Sequence, residues 1–246
     1  MAPRLAMRRL RGVTRGASLA VCVGLAGAAC ADTMVGAEFD SPTGRYGHAI
    51  LGDAIEFGEL VIAVEDWAHT TRYRVTLPQD HVFEDLTPRL WDITGDGLPE
   101  VVVIETDMAL GGSLAVYDQS GKIAETPHIG RPNRWLAPVG AADFDGDGRI
   151  EVAFVDRPHL AKTLRIFEWD GEKLVLDAEL DGLTNHRIGE DFISSGVREC
   201  GGGPEMVTAD ADWLDVMVTS FQGGWATRSV GAFSQDRLAA VLRCEG

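Results

Sequence analysis

The sequence predicts an all-β fold built from about four repeated units, followed by a short C-terminal helical segment. Four apolar runs each begin directly after a glutamate, at Glu59, Glu100, Glu151 and Glu205. A second β-like segment follows each run, and a third often follows a glycine turn. Evenly spaced short strands are typical of sandwiches, barrels and propellers, and spacings of 41, 51 and 54 residues favour the propeller.

The repeats fill one predicted domain, residues 32–246. Its four units run roughly over residues 45–85, 86–130, 136–180 and 186–230. Little of the chain has a helical pattern. The exception is the segment from Ser234 to Leu242, where Ser234 is a suitable N-cap.

Composition excludes several classes of protein. Of the 246 residues, 45% are hydrophobic, which argues against a disordered chain. The chain has 22 Lys and Arg against 38 Asp and Glu, a formal net charge of -16. Because no basic excess exists to neutralise phosphates, the composition argues against a nucleic-acid binder.

Residues 1–31 are predicted to be a cleaved signal peptide. Five arginines and no acid accompany an apolar run of small residues at 17–29, and Ala29, Cys30 and Ala31 form a small-x-small cleavage pattern. The run is shorter than the roughly 20 residues that span a bilayer, so no transmembrane segment is expected in the mature chain. Cleavage near Ala31 predicts a periplasmic or secreted protein, and the alternative is a lipoprotein anchored through Cys30.

Cysteine usage predicts one disulfide. Removal of the signal peptide leaves only Cys200 and Cys244. Two cysteines in an exported chain are expected to pair, because that compartment is oxidising. Since Cys200 lies in the turn of the fourth unit, the bond would hold the C-terminal segment against that unit.

The loop at residues 143–151 carries the most specific chemistry. Carboxylates occupy its positions 1, 3, 5 and 9, which are Asp143, Asp145, Asp147 and Glu151. Four such charges repel one another in a tight turn unless a hard cation bridges them, and Ca²⁺ accepts six to eight oxygen ligands. The carbonyl of Arg149 at position 7 would complete the shell. A solvated acidic turn without an ion is the alternative.

A sister loop at residues 92–100 keeps the same register 51 residues earlier. Its positions 1, 3, 5, 7 and 9 are Asp92, Thr94, Asp96, Leu98 and Glu100. The neutral Thr94 removes one charge and predicts weaker Ca²⁺ binding. Neither loop is an EF-hand, because position 12 is Val103 or Phe154, in an apparent strand, where that loop needs glutamate.

These D-x-[D/T]-G-D-G-x-x-E loops, each followed by an apolar strand, resemble FG-GAP or VCBS-type repeats, the blades of integrin-α-like β-propellers. The chain as a whole, including residues 184–193, resembles exported FG-GAP/VCBS-repeat proteins of bacteria. The resemblance implies that the loop carboxylates and the carbonyl at position 7 bind Ca²⁺. The first repeat lacks the ligand spacing, and Cys200 replaces the metal loop in the fourth.

The preferred hypothesis is a monomeric, non-catalytic, Ca²⁺-binding exported β-propeller that binds a protein or a glycan. One alternative is an envelope hydrolase or lyase with an axial-funnel site near His186, Glu190 and Asp191. The other is a lipid-anchored assembly component. No nucleophile elbow, HExxH, P-loop or dinucleotide motif is present, so no catalytic residue is assigned. Basic side chains near the repeat starts are further candidates for a funnel: Arg45, His48, Arg89, Arg134 and Arg187.

Overall fold

The computed structural model describes residues 32–245, within the second of two compact units, Ala31–Gly246. The predicted signal peptide and the proposed lipid attachment at Cys30 lie outside these described residues. The described part of the chain folds into seventeen strands and one short helix, which confirms the predicted all-β class.

The elements follow one another along the chain with short connections. In order they are β1 (Thr33–Thr43), β2 (Glu56–Glu65), β3 (Thr70–Thr76), β4 (His81–Phe83), β5 (Arg89–Trp91), β6 (Glu100–Asp107), β7 (Gly111–Asp118), β8 (Gly121–Glu125), β9 (Leu136–Ala142), β10 (Glu151–Asp156), β11 (Thr163–Trp169), β12 (Leu174–Asp181), β13 (Leu183–Thr184), β14 (Gly196–Glu199), β15 (Pro204–Asp210), β16 (Asp215–Phe221), β17 (Trp225–Ala232) and α1 (Gln235–Leu242).

The strands form three antiparallel sheets in a propeller-like arrangement of four-stranded meanders. Strands β9 to β12 make one complete meander, and β14 to β17 make another, with β13 beside β15. Strands β5 to β8 make a third meander, but this one is continuous with β1 to β3 through β4. The bridge is narrow, because Phe57 of β2 and Phe83 of β4 are the one paired position between those strands. The first two repeats therefore share a sheet.

Strands β6 and β10 are buried on both faces, which explains their uninterrupted apolar runs. In β6, Val101 and Val103 pack with the core of the first repeat, whereas Val102 and Ile104 pack with the core shared with the third. Successive side chains of a strand point to opposite faces, so a strand between two packed layers is apolar throughout. Strand β10 behaves in the same way between the second and fourth repeats.

Helix α1 covers the outer face of the last sheet and confirms the predicted C-terminal helical segment. The Ser234 hydroxyl caps it by accepting a hydrogen bond from the backbone N–H of Arg237. Leu238 and Val241 pack with Val216 and Val218 of β16, and such buried side chains each contribute about 1.5–3 kcal/mol. Within the described residues, no helix has the length and apolarity required to span a bilayer.

A disulfide joins Cys200 to Cys244 across 44 positions of sequence. Cys200 lies in the turn between β14 and β15, and Cys244 lies two residues after the end of α1. The bond therefore holds the end of the helix against the sheet that the helix covers.

Candidate metal centre

The two acidic loops occupy the same place in neighbouring repeats. Loop 143–151 connects β9 to β10, and loop 92–100 connects β5 to β6. The loops also lie side by side, because a Cβ atom on Gly95 would stand 3.6 Å from Cγ1 of Ile150. The equivalent connection in the fourth repeat is the turn that contains Cys200.

The aspartate at position 1 folds each loop through backbone hydrogen bonds. Asp143 Oδ1 accepts from the N–H of Gly146 at 2.7 Å, and its Oδ2 accepts from the N–H of Gly148 at 3.0 Å. Asp92 makes the same pair of bonds to the glycines at positions 4 and 6 of its loop. Both glycines of loop 143–151 have φ near +85°, at 81° and 91°, which glycine adopts without steric cost. The turn is thus built by its sequence, independently of an ion.

Loop 143–151 brings four carboxylates together. Each offers one oxygen, and these oxygens all lie within 4.8 Å of one another: Asp143, Asp145, Asp147 and Glu151. In the described part of the chain, this is the one group of three or more potential ligands that converges so closely. Burial raises the pKa of Asp145, and the charges of Asp143 and Asp147 raise it further. The cluster therefore concentrates negative charge that a cation would neutralise.

Glu151 is the buried member of the cluster, and one of its oxygens has no partner. Its Oε2 accepts a hydrogen bond from the backbone N–H of Phe144 at 2.7 Å. Its Oε1 is buried without any hydrogen-bond partner among the described residues. Burial, reinforced by the nearby aspartates, raises the pKa of Glu151 to about 7. A buried oxygen without a hydrogen bond lowers the stability of the fold by about 1–3 kcal/mol. A cation that binds oxygen ligands would remove this cost, so the loop fits such an ion.

Loop 92–100 satisfies the corresponding glutamate internally. Glu100 Oε2 accepts from the N–H groups of Ile93 at 2.7 Å and Thr94 at 3.1 Å. Its Oε1 accepts from the Thr94 hydroxyl at 3.1 Å. The Thr94 hydroxyl therefore donates to Oε1 of Glu100, whereas the corresponding Oε1 of Glu151 has no hydrogen-bond partner among the described residues. Burial still raises the pKa of Glu100, but less like-charge repulsion surrounds it.

Position 7 of each loop offers a backbone carbonyl, from the exposed Arg149 in one loop and from the half-buried Leu98 in the other. The N–H of Arg149 donates to Asp147 Oδ1 at 2.8 Å, and the N–H of Leu98 donates to Asp96 Oδ1 at 2.8 Å. The Arg149 guanidinium is paired with Glu168 outside the loop. Its Nε also lies 4.0 Å from Asp147 Oδ2, so the guanidinium offsets part of the negative charge of the cluster.

The predicted alternative site around His186 has a structural explanation. His186 is fully buried, and its Nε2 lies 2.9 Å from the carbonyl of Glu190. Because a carbonyl only accepts, Nε2 carries the hydrogen, and Nδ1 accepts from His159 Nε2 at 3.1 Å. The Glu190 carboxylate accepts from the N–H of Arg187 at 3.1 Å, and Asp191 is exposed. Both ring nitrogens of His186 are thus engaged within the fold.

The basic residues near the repeat starts separate into two groups. Three have local partners: Arg45 donates to the carbonyl of Pro78, Arg89 pairs with Asp85, and Arg187 lies over the Trp213 ring. The other two also have partners, Glu84 for His48 and the carbonyl of Asn133 for Arg134, and they line one cavity together with His159 and Arg157. His159 and Arg157 belong to no motif of the sequence. They reach the cavity from the turn between β10 and β11.

Residues 92–154 match the family model described as an FG-GAP-like repeat. The matched segment begins at position 1 of loop 92–100, contains all of loop 143–151 and ends within β10. None of the curated proteins matches the chain. The match and the fold agree on the register that the two acidic loops define, and residues 92–154 therefore contain an FG-GAP-like repeat.

Proposed function

We propose that the chain is a non-catalytic, exported interaction module in which one Ca²⁺ ion completes loop 143–151. The observation that carries this proposal is the buried, partnerless Oε1 of Glu151 beside three aspartates. Ca²⁺ suits this donor set because it is hard, takes six to eight oxygens and tolerates irregular geometry. The ligands would be the carboxylates of Asp143, Asp145, Asp147 and Glu151 with the carbonyl of Arg149.

Loop 92–100 would bind the ion more weakly. Its candidate ligands are Asp92, Thr94, Asp96, Leu98 and Glu100. Here an ion must displace the hydrogen bond from the Thr94 hydroxyl to Glu100, and it meets one fewer negative charge. Fewer charged ligands lower the affinity of a Ca²⁺ site.

The interaction role is supported by where the ion would act. Both acidic loops connect strands of a β scaffold, and binding residues concentrate on such loops. An ion that fixes loop 143–151 also fixes its neighbour, because Gly95 and Ile150 are in contact range. The partner would be a protein or a glycan, bound by a monomer. The net charge of -16 disfavours nucleic acid.

Export is supported by the disulfide between Cys200 and Cys244, since such bonds persist in oxidising compartments. The location would be the periplasm or the exterior, after cleavage near Ala31. Lipid attachment at Cys30 is the alternative, and the intact mass of the exported protein distinguishes the two forms. The hydrolase alternative gains no support from the contacts of His186, because both its nitrogens are occupied.

The decisive experiment measures unfolding of the exported protein in Ca²⁺ and in chelator. If the site binds at about 0.1 mM, about 1 mM Ca²⁺ stabilises the fold by roughly 1.4 kcal/mol. Asp145→Ala should remove most of this difference. Asp212→Ala, an exposed aspartate outside the loops, is the matched control and should retain it. Equal unfolding free energies of the unmodified protein in the two buffers would contradict the proposal.

A further inference from the structure

A cavity of about 210 Å³ lies at the opposite end of β10 from loop 143–151. Its walls come from four separate stretches: the segment before β2, the β8–β9 connection, the β10–β11 turn and the segment after β13. At roughly 30 Å³ per water, it has the volume of about seven waters. Convergence of distant segments on one concave space is typical of a ligand site.

Two histidines line the cavity, His48 and His159. The hydrogen bond that each ring makes determines which of its two nitrogens remains available. His48 Nδ1 lies 2.6 Å from Oε1 of Glu84, which is fully buried. Nδ1 therefore carries the hydrogen, and Nε2 has no hydrogen-bond partner within residues 32–245. His159 donates from Nε2 to His186, which leaves its Nδ1 similarly without a partner in that range. Burial lowers the pKa of His159 to about 4, so this ring is neutral at pH 7.

Arg134 is the arginine of the cavity that has no carboxylate partner among the described residues. The other arginine of the cavity, Arg157, is neutralised by Asp156 through bonds of 2.8 and 2.9 Å. Arg134 instead donates to the carbonyl of Asn133 at 2.7 Å and has no carboxylate within 4.0 Å in the described part of the chain. A half-buried arginine without a counter-ion is unusual in a chain of net charge -16. Its guanidinium is suited to a carboxylate, which it binds through two parallel hydrogen bonds.

The backbone around Arg134 is held in place before any ligand binds. The N–H of Asn133 donates to the Tyr46 hydroxyl at 2.8 Å, and the carbonyl of Arg134 accepts from Gly112 at 2.8 Å. Asn133 and Arg157 both have left-handed backbones, with φ of 52° and 46°. Non-glycine residues hold this conformation only where the surrounding structure imposes it, and they cluster at binding sites.

The rest of the lining is apolar. Ile50 and Trp135 form buried walls, and the Trp135 indole is fixed by donating to the carbonyl of Glu84 at 2.8 Å. At the rim, Leu160 is 64% exposed and Ile188 is 70% exposed. Large apolar side chains left in water around a concave site favour a ligand that covers them.

We propose that this cavity binds a small organic carboxylate that carries an apolar group. The Arg134 guanidinium takes the carboxylate, and the apolar group packs on Trp135 and Ile50. Binding involves no covalent step. The inference goes beyond the proposed Ca²⁺-supported module and does not depend on the ion, because the cavity and loop 143–151 lie at opposite ends of β10.

The test is an NMR titration of the isotope-labelled exported protein with phenylacetate and with phenylacetamide, its neutral isostere. Phenylacetate should produce saturable shifts at the Trp135 indole N–H and the Arg134 amide. Phenylacetamide should bind at least about tenfold more weakly, because it loses a charge-assisted hydrogen bond. Arg134→Gln should weaken phenylacetate by a similar factor, and Arg134→Lys should recover part of the loss. Arg131→Gln, an exposed arginine of the same connection, is the matched control and should bind normally.

Absence of saturable shifts up to about 10 mM phenylacetate would overturn the proposal. So would equal binding of the acid and the amide, or equal losses in the Arg134→Gln and Arg131→Gln variants. If Arg134→Gln fails to fold, the comparison of acid with amide and the Arg134→Lys variant still decide the question. Phenylacetate binding by Asp145→Ala in chelator separates the two proposals, since it should persist whether or not the loop binds Ca²⁺.

Discussion

Loops 92–100 and 143–151 share a backbone design and differ in how they treat the glutamate at position 9. Both use an aspartate at position 1 to accept from the glycines at positions 4 and 6. In one loop the hydroxyl of Thr94 donates to Glu100, whereas in the other Asp145 leaves Oε1 of Glu151 open. The side chain at position 3 thus distinguishes a loop whose glutamate is fully hydrogen-bonded from a loop that is suited to a cation.

The fourth repeat adds a third arrangement at the same connection. There the turn between β14 and β15 carries Cys200, which a disulfide ties to Cys244. The equivalent turns therefore carry a hydroxyl donor, an acidic cluster that a cation would complete, or a covalent bond. Each arrangement lies between the first and second strands of its four-stranded meander, and each responds to a different perturbation.

The largest expected effect comes from the covalent arrangement. The Cys200→Ser, Cys244→Ser double variant should unfold with a free energy lower by about 2–4 kcal/mol, since the bond encloses a long segment. Ca²⁺ affinity should stay unchanged, because the bond and loop 143–151 belong to different repeats. Denaturant unfolding without reductant measures the first quantity, and calorimetric titration measures the second. A concurrent loss of Ca²⁺ binding would show that the turns are coupled.

The second-largest effect should come from removal of the position-9 glutamate, which should destabilise the protein more in loop 92–100 than in loop 143–151. In chelator, Glu100→Ala should lower the free energy of unfolding by about 2–3 kcal/mol, because it strands the buried N–H of Ile93 and two donors of Thr94. Glu151→Ala strands only the N–H of Phe144 and should cost less. Denaturant unfolding of both variants in chelator makes the comparison. Equal losses would contradict the assignment of Glu100 as the internally satisfied acid.

A threonine at position 3 of loop 143–151 should satisfy the glutamate of that loop without an ion, as Thr94 does in loop 92–100. Asp145→Thr places a hydroxyl where it can donate to Oε1 of Glu151, so the chelated protein should gain about 1 kcal/mol. The same change removes a charged ligand, and most of the stabilisation by Ca²⁺ should disappear. Thermal unfolding in chelator and in Ca²⁺ tests both expectations. Retained Ca²⁺ stabilisation would mean that position 3 does not control the site.

The reverse transfer should have the smallest effect. Thr94→Asp removes the donor to Glu100 and adds a charge, so the chelated protein should lose up to about 1 kcal/mol. Ca²⁺ should restore it, and titration in an Asp145→Ala background should detect the ion at loop 92–100 alone. Thr94→Ser keeps the hydroxyl and is the matched control. A Thr94→Asp variant that binds no Ca²⁺ in that background would refute the role given to position 3.

Much of the fold was predictable because its signals are local. The glutamate before each apolar run predicts β6, β10 and β15, and Ser234 before a helical pattern predicts the start of α1. The shared sheet of the first two repeats was not predictable, since it depends on the pairing of Phe57 with Phe83. Such a contact has no periodic signature in either short segment.

In the candidate site, too, some features were predictable from the local sequence and others depend on the folded structure. The spacing of Asp143, Asp145 and Asp147 predicts a cluster, because residues of one tight turn must lie together. The sequence predicts weaker binding at loop 92–100 from charge alone, but the competing bond from Thr94 to Glu100 is visible only in the folded loop. The sequence places His186 beside Glu190 and Asp191 as an alternative site, but the contact of His186 with His159, 27 residues away, is visible only in the folded chain.

By itself, the sequence determined the strand repeats, the acidic loop register, the cysteine pair and the C-terminal helix. These follow from side-chain periodicity and from turns in which ligand and backbone are a few residues apart. Only the tertiary structure decided that, among residues 32–245, Oε1 of Glu151 has no hydrogen-bond partner and Arg134 lines a cavity without a carboxylate partner. The reason is physical: burial and hydrogen-bond satisfaction depend on every neighbour that packing supplies, and those neighbours come from distant parts of the chain.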